Sequence, residues 1–298
     1  MVNFAALSAK GYVVMFNKLF VLSQYVTPQL AVSRLAGRMA DNDHSPALKN
    51  RVIQWFIGRY GVDMSEAAES DPTAYPSFNA FFTRALKPGI RPIAEGDKTL
   101  VSPVDGAISQ IGQVSDDRVF QAKGQSFSLT ELLGGDAQRA EAFEEGEFST
   151  IYLSPKDYHR IHMPMAGTLR EMVYIPGKLF SVNPVTAENV PNLFARNERV
   201  ACIFDTEAGP MALVLVGAMI VGSVETVWSG VVAPGNGLVT TTRYEGDQAR
   251  SFAKGEEMGR FRLGSTVVMV MPKGAVSWND DQVAGKTLRM GEAFGTLS

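Results

Sequence analysis

The sequence predicts an α+β protein in which amphipathic N-terminal helices front a β-rich body of barrel or sandwich type. Three observations carry this reading. Six of the 28 glycines precede residue 100 and 22 follow it. Past that point, short β-prone runs bounded by turn residues take over. Residues 1–40 carry Lys10, Lys18, Arg34 and Arg38 and no acid, a balance of +4, although the whole chain has a net charge of −3.

Along the arm, Asn3, Lys10, Asn17 and Gln24 recur every seven residues and form a narrow polar stripe on a helix. Phe4, Leu7, Tyr12, Met15, Leu19 and Leu22 gather on the opposite arc. Lys18 lies off the stripe and has to snorkel from the edge of the apolar face. Pro28 ends or kinks this helix, and Leu30–Met39 can resume it. Such an element either lies in a membrane interface or packs on its own domain. No apolar run is long enough to span a bilayer, and the arm lacks the order of a secretory signal.

A second helix is expected from Pro46 to Tyr60, with Val52, Trp55, Phe56 and Tyr60 on its buried side. A third is expected to begin at Ser77, an N-cap, and to carry Phe78, Phe81 and Phe82. The proline-spaced segment Lys87–Pro92 then closes a helical front (residues 1–92). A β-rich domain follows (residues 93–298). Its expected strands are Gly106–Ile111, Thr150–Leu153, Thr168–Ile175, Val200–Phe204, Ala212–Val221, Val224–Val227, Gly237–Thr242 and Ser265–Met271. Pro103-Val104-Asp105-Gly106 is echoed by Pro164-Met165-Ala166-Gly167, as two related turns entering strands would require.

Composition excludes several classes. With 298 residues, 45% hydrophobic and 20% charged, the chain is a folded protein of one large or two modest domains. Its acidic balance argues against a nucleic-acid partner. Cys202 is the single cysteine, so no disulfide within the chain and no cysteine-built zinc site can form. There is no G-x-S-x-G elbow, P-loop, G-x-G-x-x-G fingerprint or H-E-x-x-H helix.

What remains is a small set of candidates. Two of the three histidines, His159 and His162, fall in Tyr158-His159-Arg160-Ile161-His162-Met163-Pro164. A metal site built on this pair alone is incomplete. On a regular strand the two rings face opposite sides and can serve different roles. Leu263-Gly264-Ser265-Thr266-Val267 offers a serine, which is a weak nucleophile until a base takes its proton. His162 is a candidate base. Asp105, in Ser102-Pro103-Val104-Asp105-Gly106, is a candidate to orient it, or else an Asx-turn residue.

Ser102–Gly106, Tyr158–Pro164 and Leu263–Thr266 resemble the three signature regions of the bacterial phosphatidylserine decarboxylases. Val173–Asn183, Ala187–Asp205 and Val216–Trp228 resemble further segments of that family, in the same order. The resemblance implies a proenzyme that cuts itself between Gly264 and Ser265, giving a β chain of residues 1–264 and an α chain of residues 265–298. It implies a relay of Asp105, His162 and Ser265 for the cut. Ser265 attacks the Gly264 carbonyl, elimination from the resulting ester leaves dehydroalanine, and hydrolysis releases ammonia. Ser265 thereby becomes a covalent pyruvoyl group, the cofactor that receives the substrate amine, with no metal and no pyridoxal phosphate. His159 is implied in decarboxylation as proton donor or carboxylate binder.

The implied reaction converts phosphatidylserine to phosphatidylethanolamine and CO2. The implied partners are phosphatidylserine in an anionic membrane and the enzyme's own two chains, with a homo-oligomer left open. The implied location is the cytoplasmic side of the bacterial inner membrane, peripherally bound through the basic arm. An ordinary serine hydrolase using the same three residues and a β-barrel carrier module are the rival readings.

Overall fold

The computed structural model describes residues 17–29, 33, 37, 40–41, 45–219, 223–262 and 265–298. The first sixteen residues of the expected arm, the end of the expected Ala212–Val221 strand, and Leu263 and Gly264 of the expected cleavage motif lie outside these.

The strands are Thr99–Val101 (β1), Gly106–Gln113 (β2), Arg118–Ala122 (β3), Gln125–Ser128 (β4), Glu147–Leu153 (β5), Arg160–His162 (β6), Gly167–Ile175 (β7), Arg199–Thr206 (β8), Gly209–Val216 (β9), Ser223–Thr226 (β10), Gly230–Ala233 (β11), Thr240–Arg243 (β12), Arg250–Phe252 (β13), Glu257–Arg262 (β14), Ser265–Met271 (β15), Val276–Trp278 (β16), Thr287–Leu288 (β17) and Ala293–Leu297 (β18). Nine of them form one sheet in the order β12-β7-β8-β9-β15-β5-β2-β17, with β13 also pairing β7. A four-stranded sheet runs β11-β10-β14-β6 and a three-stranded one β1-β18-β16. The ladders are antiparallel. The body is thus sandwich-like rather than a closed barrel.

Alternation along the strands builds two cores, one on each face of the large sheet. Val267 and Met269 of β15 point into a layer shared with Ile161 of β6 and Met258 and Phe261 of β14. Val268 and Val270 point the other way, toward Phe127, Leu129, Phe143 and Phe194 of the short helices and the β3–β4 hairpin region. Strands covered on both faces lose the polar/apolar alternation, which is why Val267–Met271 of β15 reads as one apolar run. Both P-x-x-G turns do enter the large sheet: Gly106 opens β2 and Gly167 opens β7.

The helical front has its own small core. A helix spans Pro46–Tyr60, with proline in its first turn and Gly61 beyond its end at φ +69°. Phe78–Phe82 follows, capped by Ser77, whose hydroxyl accepts from the Ala80 N–H at 3.1 Å. Ile53 and Phe56 are the residues that the first of these helices buries. Phe56 sits 5.1 Å from Phe78 and 5.9 Å from Phe82, ring to ring. The expected buried side of this helix is therefore corrected. Phe56 holds, but Val52 and Trp55 are exposed, and Tyr60 is at the margin. The aromatic cluster pulls the Ile53–Phe56 row inward and leaves Leu48, Val52 and Trp55 as a row on the outside.

The arm is also oriented opposite to a core-packed helix. Residues 17–26 are helical. Gln24 is buried and accepts from the Ser181 N–H at 3.1 Å, and Gln29 accepts from the Leu179 N–H at 2.8 Å. Leu19, Leu22 and Val26 face outward. Gln24 and Gln29 anchor the helix to the body together with Val21 and the Tyr25 ring on Phe180, while Leu19, Leu22 and Val26 are left uncovered.

A Cβ at Gly106 would come within 2.5 Å of the Tyr152 carbonyl oxygen on the neighbouring strand. Gly106→Ala should therefore destabilise the fold by about 2 kcal/mol, through a displaced β2–β5 pairing. Urea unfolding checks this as a lower midpoint with an unchanged slope.

Candidate active site

Ser265 is the first residue of β15. It lies opposite Leu153 on β5 and shares the face of Val267. It is fully buried, and its hydroxyl has no hydrogen-bond partner among the described residues. A buried hydroxyl with no partner costs free energy, so such a group calls for a chemical reason.

His159 immediately precedes β6. Its carbonyl accepts from the Phe261 N–H at 2.9 Å, on the strand β14 that leads toward Ser265. The ring packs on Phe82 at 4.0 Å between centroids. Nδ1 lies 2.8 Å from the Asp157 carbonyl oxygen, which can only accept. The neutral ring therefore carries its proton on Nδ1 and leaves Nε2 as a lone pair. That Nε2 is buried and unpartnered among the described residues, like the Ser265 hydroxyl. Burial drives the His159 pKa down to about 3, against the raising effect of the Asp157 bond, and the Arg84 charge adds to the lowering.

His162 ends β6, on the opposite side of that strand. Its Nδ1 donates to the Gly255 carbonyl at 2.8 Å. Its Nε2 faces the Tyr158 hydroxyl at 3.1 Å, which donates to it. Burial lowers its pKa, partly offset by the Gly255 bond. Its backbone N–H donates to the Pro103 carbonyl at 2.9 Å, two residues before Asp105.

Asp105 is buried just ahead of β2. Its carboxylate accepts from Arg91 Nε at 2.9 Å and Nη2 at 2.6 Å, and from the Met290 N–H at 2.8 Å. Arg91 also donates to Glu66 at 2.7 Å, and Arg289 reaches the same Glu66 at 3.2 Å. Burial works against the Arg91 charge, and its bonds to Asp105 and Glu66 outweigh that effect.

The backbone therefore brings Asp105 near His162, and the strand order brings His159 to the Phe261 end of β14, the strand that runs on toward Ser265. No hydrogen bond joins Asp105 to His162, and none joins either histidine to Ser265. Arg91, Tyr158, Arg84 and the Met290 N–H complete the surroundings, and of these only Tyr158 stands within a segment the sequence marks out. Arg91 stood in a segment read as a linker, and a backbone N–H has no sequence signal. Tyr158 was in view beside His159, but its neighbour four residues on could not be read.

Between the helical front and the large sheet lies a cleft of about 620 Å3, walled in part by Arg84, Arg91, Asp105, Tyr152, Asp157 and Tyr158. The Lys156–Tyr158 turn is its wall, and the same turn supplies the carbonyl that fixes the His159 ring.

Between pH 6.5 and 3 the unfolded chain takes up a proton at residue 159 that the folded chain refuses. Stability from this group is complete above pH 6.5 and falls as pH drops through that window. His159→Phe, which keeps the ring on Phe82, should flatten this part of the profile, as measured by urea unfolding at stepped pH.

Comparison with known proteins bears on this constellation. A family model described as phosphatidylserine decarboxylase matches residues 78–296, and one described as PSD matches residues 19–61. A phosphatidylserine decarboxylase proenzyme from Marinobacter nauticus is 80% identical over 95% of this chain and 99% of its own length. The protein of that name from Hahella chejuensis is 58% identical, covering 95% of each chain. The one from Bordetella pertussis is 60% identical over 93% of this chain and 94% of its own. With the match spanning the helical front, the β-rich body and every signature segment, the chain belongs to the phosphatidylserine decarboxylase family.

Proposed function

We propose that this chain is the proenzyme of a pyruvoyl-dependent decarboxylase that converts phosphatidylserine to phosphatidylethanolamine and CO2. The observation that carries the reading is that two of the signature segments each hold a buried polar group with no partner. The Ser265 hydroxyl and His159 Nε2 are both fully buried and both unpartnered among the described residues. A serine of this kind, at the head of a strand held on both edges, fits the residue from which a pyruvoyl group is made. Once formed, that group supplies the electron sink that loss of CO2 requires.

The chain's own residues do the rest. Ser265 Oγ is the nucleophile toward the Gly264 carbonyl, His162 takes its proton and Asp105 orients His162. For that step Asp105 gives up part of its hold on Arg91 or the Met290 N–H, and His162 exchanges Tyr158 for Ser265 at Nε2 and the Gly255 carbonyl for Asp105 at Nδ1. His159 holds and delivers a proton at the reacting carbon. An anionic substrate arriving beside it opposes the effect of burial and raises its pKa toward the working range. The two processed chains, residues 1–264 and 265–298, stay together as one unit, and the helical front is one functional part and the β-rich body the other.

Membrane association is the second part of the proposal. No helix among the described residues is long and apolar enough to cross a membrane. Leu19, Leu22 and Val26 on one helix and Leu48, Val52 and Trp55 on another are nonetheless exposed. Two outward apolar rows beside a basic arm suit a peripheral grip on anionic lipid, on the cytoplasmic face of the membrane.

Three variants test the chemistry. Ser265→Ala should stay one chain, and His162→Ala should also block maturation. His159→Ala should mature and lose roughly 100-fold or more in turnover. Denaturing gels and a CO2-release assay check these. Borohydride added with substrate should tether the lipid amine to the small chain of the unsubstituted enzyme. For the membrane, Leu48→Ser with Trp55→Ser should lower co-sedimentation with anionic vesicles while leaving maturation intact.

A further inference from the structure

We infer that Arg84 is the subsite for the phosphodiester anion of the substrate headgroup. The inference rests on the decarboxylase reading and adds to it a specificity-determining residue. Arg84 follows the Phe78–Phe82 helix and is only 4% exposed, yet it lines the cleft. One nitrogen, Nη2, donates to the Lys156 carbonyl at 2.9 Å, and the guanidinium carbon sits 5.7 Å from the centre of the Phe81 ring. Nε and Nη1 are buried and have no partner among the described residues. The other arginines walling this cleft are matched: Arg91 by Asp105 and Glu66, Arg289 by Glu66. Arg84 makes no ion pair among the described residues.

A buried guanidinium with idle N–H groups at the wall of a cleft is placed to donate a charge-assisted hydrogen bond to an oxyanion. Burial lowers its pKa, and the cleft acids Asp105, Asp157 and Glu66 counter this only through space. Leaving such donors empty is costly, and an incoming anion that bonds to one of them lowers that cost.

The substrate carries two anions, and the chemistry chooses between them. The carboxylate loses its charge as CO2 departs, so a guanidinium clamped on it would stabilise the ground state and slow the reaction. The phosphodiester keeps its charge throughout, so binding it costs nothing at the transition state. Position agrees. Phe82 contacts the His159 ring, Arg84 is two residues on, and its charge is felt at His159. In a serine headgroup only one oxygen and one carbon separate the phosphorus from the α-carbon. An anion at Arg84 therefore leaves the reacting carbon toward His159.

The test compares wild type, Arg84→Lys and Arg84→Met, each first shown by mass to be matured into two chains. Two substrates are used: phosphatidylserine in mixed micelles and an O-alkyl serine of similar chain length with no phosphate. Arg84→Met should lose about 30-fold in kcat/KM on phosphatidylserine, chiefly through KM, and less than about 3-fold on the alkyl serine. Arg84→Lys should recover part of the loss. Equal losses on both substrates, or a loss confined to kcat, would overturn the inference. Dimethyl phosphate, a bare phosphodiester, gives a second readout on the unsubstituted enzyme. It should compete with phosphatidylserine and leave turnover of the alkyl serine unchanged. Absence of competition overturns the inference even where both variants fail to mature. Wild type that matures but never decarboxylates phosphatidylserine would instead overturn the decarboxylase reading.

Discussion

The fixed placement of β15 governs the rest of the molecule. This strand pairs with β5 along all seven of its residues, Ser265–Met271, and with β9 along five of them. Every one of its side chains is buried. A residue at the head of such a strand cannot swing away to relieve an unsatisfied hydroxyl, and water cannot reach it. Its polar group is held without a partner among the described residues by the packing around it. A break in the backbone just ahead of this strand would also leave the fold intact. The segment from residue 265 onward is woven in through β15 in the large sheet, β17 against β2, and β18 between β1 and β16. Met290 further ties it to the rest of the molecule through Asp105.

Electrostatics divide the site into two regions. Around Asp105 the charges are paired into a chain, Asp105–Arg91–Glu66–Arg289, that spans the helical front, the large sheet and the C-terminal segment. Around His159 water is excluded, and burial with the nearby Arg84 charge holds the ring neutral with a fixed tautomer. One region holds parts of the molecule together and the other keeps a proton acceptor idle until an anion arrives. Arg84 stands where the two meet, buried like the second region and charged like the first. A headgroup that is itself doubly anionic is the natural ligand for that boundary.

Much of this was legible in the sequence, for identifiable reasons. Helix Pro46–Tyr60 announced itself through a proline in its first turn and a glycine past its end. Strand Ser265–Met271 showed through the unbroken apolar run Val267–Met271. The two P-x-x-G turns marked real strand entries. Side-chain facing was less legible, because it depends on partners far away in sequence. Phe56 turns inward to meet Phe78–Phe82, so Val52 and Trp55 turn outward. Short strands such as β6, β13 and β17 carry too few residues for periodicity to register. At the site, Ser265, His159, His162 and Asp105 could be nominated by residue type and motif. Their present partners could not, because Gly255, Met290 and Asp157 contribute only backbone groups, and those have no signature in a sequence.

The account stands on the chain making its own electrophile at Ser265. Intact-mass analysis of purified, catalytically active protein tests this most directly. The account predicts two chains, residues 1–264 and 265–298, the smaller one lighter by one ammonia than a peptide that begins with serine. Active protein that runs as a single uncut chain of 298 residues would contradict it.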